Sequence, residues 1–159
     1  MGLGLVAFWA AAAAAPVPEA LCAPGERVYF GCGLKGGKRV AVCGSADPAS
    51  PGARVAYRFG RPGALELERW LLGPGAAPGA WGATDTHAAS QSFVVGFDVG
   101  TTRTLVFDQD TMGSAGQNGA GVLVELERGT PAARTVSIAC VGVRALDLEP
   151  LLPRLSPRP

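Results

Sequence analysis

This chain has little to catalyse with. It carries one histidine, His87, so a Ser-His-Asp or Cys-His arrangement has to run through that residue. No Gly-x-Ser-x-Gly elbow accompanies it, and Ser90 and Ser92 are near it only in sequence. In Thr84-Asp85-Thr86-His87 the histidine reads as a solvated loop residue. No C-x-x-C pair is present, so zinc has no obvious ligand set. Net charge is +1, with no cluster of Lys or Arg. That excludes the electrostatic footprint of a nucleic-acid binder and a polybasic membrane patch.

A long apolar run is missing too. Met1 to Ala15 is nearly all apolar, but at roughly 13 residues it falls short of the about 20 that cross a bilayer. Small residues and Pro16-Val17-Pro18-Glu19-Ala20 follow. Residues 1–20 therefore read as a secretory signal peptide, although no Lys or Arg precedes the apolar run. Glu19 stands where lipid attachment at Cys22 wants an aliphatic residue. The expected location is the periplasm or the exterior, with no integral membrane segment in the mature chain. The roughly 140 residues left are enough for one domain with a real core.

What is present fits export. Four cysteines, Cys22, Cys32, Cys43 and Cys140, predict two disulfides with three possible connectivities. Cys32 and Cys43 flank the turn Gly33 to Arg39, and a bond between them would staple a hairpin. Cys22 would then join Cys140, closing a long loop and contributing about 4 to 5 kcal/mol in the chain-entropy account.

Period-two alternation dominates after residue 25 and predicts an all-β domain over 21–146. About eight antiparallel strands joined by short turns imply a sandwich or barrel. The clearest hairpin sets Val55, Tyr57 and Phe59 on one face and Arg54, Ala56 and Arg58 on the other. Gly60-Arg61-Pro62-Gly63 turns it into a strand carrying Glu66 and Glu68, placed to pair with the arginines. Arg134 to Gly142 reads as one final strand. Leu71 to Ser90, rich in Gly, Pro and Ala, reads as a long surface loop holding Trp81 and His87. That loop is the candidate binding site, with the indole expected to tuck against the core edge. Residues 147–159 read as a helical turn followed by a frayed, Pro-rich tail.

Phe93 to Asp110 (FVVGFDVGTTRTLVFDQD) looks like the first phosphate loop of the actin-like sugar kinases. Backbone amides at Gly100, Thr101 and Thr102 with the Asp98 carboxylate would suit a phosphate and its Mg²⁺. Those kinases close two large domains over the nucleotide, and this chain is too short for that. The expectation is an ordinary hairpin with Asp98 capping its turn. Asp108 to Gly113 faintly resembles a calcium loop, but Met112 and Gly119 stand where oxygen ligands are needed. No cofactor and no metal is expected. The pairs Glu66/Glu68, Asp108/Asp110 and Glu125/Glu127 each point to one face of a strand, as a wet sheet face does.

Taken together, Val28 to Cys32, Lys38 to Ser45 and Val55 to Glu68 resemble a family of small exported proteobacterial proteins of unknown function. Leu105 to Asp108, Gly121 to Val124 and Ser137 to Gly142 extend the resemblance over most of the chain after Cys22. Tyr57-Arg58-Phe59-Gly60 is its most specific block. Where some relatives place a cysteine after a proline near the end, this chain has Leu152-Pro153-Arg154. The resemblance implies export and brings no activity. The expected function is a non-catalytic module binding an envelope protein or glycan. Inhibition of lysozyme-type hydrolases is one version, although the Ser-Gly-x-x-Tyr inhibitory loop is absent. A carbohydrate-active hydrolase using Asp or Glu is the competing reading.

Overall fold

A computed structural model of the chain describes residues 21–76, 78–87, 90–111 and 119–159. The segment read as a signal peptide and the heart of the calcium-like loop, 112–118, lie outside the described residues.

The domain is an all-β sandwich. Its first half is a meander of β1 (Arg27–Gly33), β2 (Arg39–Gly44), β3 (Val55–Arg61) and β4 (Ala64–Leu72). A second meander follows: β5 (Trp81–His87), β6 (Ser90–Val99), β7 (Thr102–Thr111), β8 (Gly119–Leu126) and β9 (Arg134–Ala139). The chain then returns to the first sheet as β10 (Val141–Leu146), makes a 3₁₀ turn over Glu149–Arg154, and ends in the short β11 (Ser156–Pro157). The sheet orders are β10-β1-β2-β3-β4 and β11-β5-β6-β7-β8-β9.

Alternation explains the layers. Val40, Val42, Val55 and Tyr57 from the first sheet meet Val95, Phe97, Val106 and Val122 from the second. Tyr57 and Phe97 touch with ring centroids 5.0 Å apart, and burial pushes the Tyr57 phenol pKa up. Leu148 and Leu151, at the 3₁₀ turn, are fully buried in the same core. The tail therefore does not fray: it plugs the sandwich, and β11 pairs in parallel with β5.

The structure corrects three further expectations. Leu71 to Ser90 is not one long loop, because Trp81 opens a strand that runs to His87 and pairs with β6. Arg134 to Gly142 is not one strand: β9 belongs to the second sheet, β10 to the first, and Cys140 is the corner between them. The cysteine pairing also differs. Cys22 bonds Cys43, and Cys32 bonds Cys140. Cys32 sits opposite Val40 and Cys43 opposite Val28, so the hairpin register holds Cys32 and Cys43 apart. With β10 beside β1, the Cys140 corner comes against the end of β1, where Cys32 meets it with Cα atoms 5.4 Å apart.

Candidate functional site

Each outer face of the sandwich holds a cluster of charged groups centred on a buried arginine. On the first sheet the centre is Arg58, 8 % exposed. Its Nε donates to Glu68 Oε1 at 2.8 Å across the β3–β4 ladder, the pairing the sequence predicts. Its terminal nitrogens hold both oxygens of Glu26 and the Leu21 carbonyl. The Ala23 amide also donates to Glu26, at 2.7 Å. These contacts and the Cys22–Cys43 bond lay residues 21–26 over the outer face. Beneath it Ala41, Cys43 and Ala56 are buried. Burial by itself would raise the Glu26 pKa, but Arg58 and the Ala23 amide outweigh it and hold the carboxyl below its usual range. An open cleft of about 590 Å³ lies alongside, lined by Leu21 to Ala23, Arg58 and the turn from Arg61 to Leu65.

On the second sheet the centre is Arg103, also 8 % exposed. It grips Asp98 with two bonds, Nε to Oδ1 at 2.8 Å and Nη2 to Oδ2 at 3.0 Å. Arg128 adds a third at 3.0 Å and reaches Glu125 at 3.4 Å. The Arg103 bond, reinforced by Arg128, holds the Asp98 carboxyl below the usual range despite some burial. Arg103 also stacks on Trp81, with its guanidinium carbon 5.3 Å from the ring centroid. Arg158 stacks on the same indole at 5.3 Å, and its Nη1 donates to Asp85 at 3.0 Å. The indole itself lies across Gly96, where a Cβ would come within 2.3 Å of the ring. No other residue type leaves room for that contact.

The candidate binding residues fall out accordingly. Trp81 is 1 % exposed: it is tucked, though against Val94 and Leu105 on the outer face of the second sheet rather than at the edge of the core between the sheets, and it presents no aromatic surface to a partner. His87 is the last residue of β5, paired with Ser90, and is in a strand rather than a loop. The kinase-like stretch is a hairpin: Val99 faces Thr102 across Gly100 and Thr101, with Gly100 at φ +58. A glycine with positive φ at the first position of a two-residue turn suits the twist of a hairpin. Asp98 does not cap that turn. Its two oxygens are taken by Arg103 and Arg128, which leaves them committed to cations within the fold.

Among the carboxylates of the acidic pairs, three are ion-paired. Glu66 meets Lys38, Glu68 meets Arg58, and Glu125 meets Arg128. Among the described residues, Cys22, Glu26 and Cys43 are close enough to gather a metal ion, but both sulfurs are committed to a disulfide. A disulfide sulfur is not the thiolate that metal binding needs. The sequence reading missed Arg103, Arg128 and Arg158. Only Arg103 left a signal, since a carboxylate and an arginine flanking a short turn face each other once the hairpin forms.

No helix among the described residues is long and apolar enough to cross a membrane. No family model, no curated protein and no solved structure matches this chain.

Proposed function

We propose that this is an exported, disulfide-stapled β-sandwich that works by binding a protein partner in the cell envelope, in the periplasm or outside the cell. The observation that carries the reading is the state of two of its carboxylates. Glu26 and Asp98 are clamped by arginines and pushed towards the ionised form. A glycosidase acid needs the opposite, a carboxyl whose pKa is raised so that it holds a proton near neutral pH. The two disulfides suit an oxidising compartment. The binding surface is not the Trp81 ring, which the fold uses internally.

The test is a crosslinked pull-down of the tagged chain from its own envelope fraction, followed by reconstitution with the captured protein in purified form. A complex of fixed stoichiometry from purified components supports the reading. Turnover of a glycan by the purified chain, lost in Glu68→Gln or Glu125→Gln, would replace it with the hydrolase reading.

A further inference from the structure

Unpaired sheet edges invite other strands, and proteins blunt them with charge, proline, bulges or brevity. Three edges of this sandwich are blunted. β4 carries Glu66 and Glu68, turns Arg69 to its core-facing side opposite Tyr57, and is irregular against β3. β10 is irregular against β1, and β11 has two residues, one of them Pro157. β9 has only one of these devices, the charge of Arg134 at its first position. From Thr135 to Ala139 it is uncharged, free of proline, regular against β8, and flanked on one side only among the described residues. Val136, 41 % exposed, and Val141, 51 % exposed, flank the Cys140 corner.

The hydrogen-bond phase of this edge can be read. Cys140 donates its amide to Ala120 O at 2.9 Å, in register with the Gly121–Ala139 pair. In an antiparallel ladder bonding alternates. Arg134, Val136 and Ile138 therefore bond β8, while Thr135, Ser137 and Ala139 point their amides and carbonyls outward.

We infer that β9 pairs antiparallel with β9 of a second copy of this chain, about a two-fold axis at Ser137, joining the two second sheets into one. A two-fold normal to a sheet keeps faces matched only when it passes through a residue position. At Ser137 the outward groups of Ser137 pair with their own counterparts, and those of Thr135 pair with Ala139. Every outward amide and carbonyl of the strand is then satisfied. On the core-facing side Val136 meets Ile138, a favourable β-branched pair. The Arg134 side chains fall at opposite ends of the ladder, so no like charges face each other. An axis at Val136 leaves the Ala139 groups without a partner inside the strand and sets Arg134 against Ile138. The strand is thus complementary to itself in charge, shape and bonding phase. This inference stands independently of the envelope partner proposed above.

Sedimentation equilibrium of the purified chain, disulfides intact, tests it with Ser137→Pro and Ser137→Lys beside it. Ser137 is exposed and its amide is not used by β8, so proline there spares the fold and removes both central donors. The natural chain is expected to dimerise. Each variant should raise the dissociation constant at least about tenfold with an unchanged melting temperature of the monomer. Mixing Ser137→Lys with Ser137→Asp should restore a dimer, because the two residues face each other on the axis. A natural chain that stays monomeric at all concentrations overturns the proposal. So does a dimer that both variants leave intact, or a monomer that captures another protein through β9.

Discussion

The two outer faces of the sandwich solve one problem in two ways. Each must hold a stretch of chain against a sheet whose outward side would otherwise meet water. The first sheet uses a covalent strap: Cys22–Cys43 and the Arg58–Glu26 pair lay residues 21–26 across it. The second has no disulfide within it. There Trp81 lies over Gly96, with Arg103 and Arg158 stacked on the indole. One face borrows the start of the described chain, and the other borrows its end. The difference teaches that a tryptophan between two arginines can close a sheet face as a disulfide does, but by packing that a single methyl group can disturb.

Breaking the bond common to both sheets should have the largest effect. Cys32–Cys140 joins β1 to the corner between the sheets with a sequence separation of 108. Its removal as Cys32→Ser/Cys140→Ser should cost about 5 kcal/mol in the chain-entropy account, read as the loss in denaturant-unfolding free energy. Cys22–Cys43 spans 21 residues. Its removal should cost about 3 kcal/mol, with increased amide exchange confined first to residues 21–26. Equal losses from the two pairs would erase the distinction between a joint and a strap.

On the second face, Gly96→Ala is the matching break. The added methyl must displace the Trp81 ring, at a cost of about 1 to 3 kcal/mol. The near-ultraviolet circular dichroism of the indole should change with it, while the first face keeps its exchange protection. An unaltered indole signal would mean that the ring does not rest on Gly96.

The smallest effect is acid sensitivity. The folded pKa values of Asp98 and Glu26 lie below their unfolded values, so each stabilises the fold fully above about pH 4. That contribution is lost as pH falls through the lower, folded value. Asp98→Asn should lower stability at neutral pH and flatten the fall between pH 4 and the folded pKa. Glu26→Gln should do the same, since Arg58 and the Ala23 amide outweigh the burial that opposes them.

Local pattern carried the sequence reading as far as local pattern reaches. Arg58 opposite Glu68 and the turn at Gly100 were legible, because both follow from two-residue periodicity across a short hairpin. β5 was not. Its inward position beside Trp81 is Gly82, which leaves room for Leu152 and Leu155, so no apolar alternation marks the strand. The split at Cys140 was invisible because both halves have strand composition, and only packing assigns them to different sheets. The disulfide pairing failed for the same reason. Proximity in sequence suggested Cys32–Cys43, whereas β10 returning beside β1 decides Cys32–Cys140. The Arg158 contact with Trp81 joins residues far apart in sequence, and a proline-rich end gave no sign of it.

The disulfide pairing bears directly on the strap, the corner and the contrast between the two faces. Trypsin cuts after Arg27, Lys35, Arg39, Arg54, Arg134 and Arg144, placing every cysteine on its own peptide. A non-reducing tryptic digest read by mass spectrometry should show 28–35 joined to 135–144, and 40–54 joined to the peptide that holds Cys22. Finding 28–35 joined to 40–54 instead would contradict the account, since the hairpin would then be stapled on itself and the first face would have no strap.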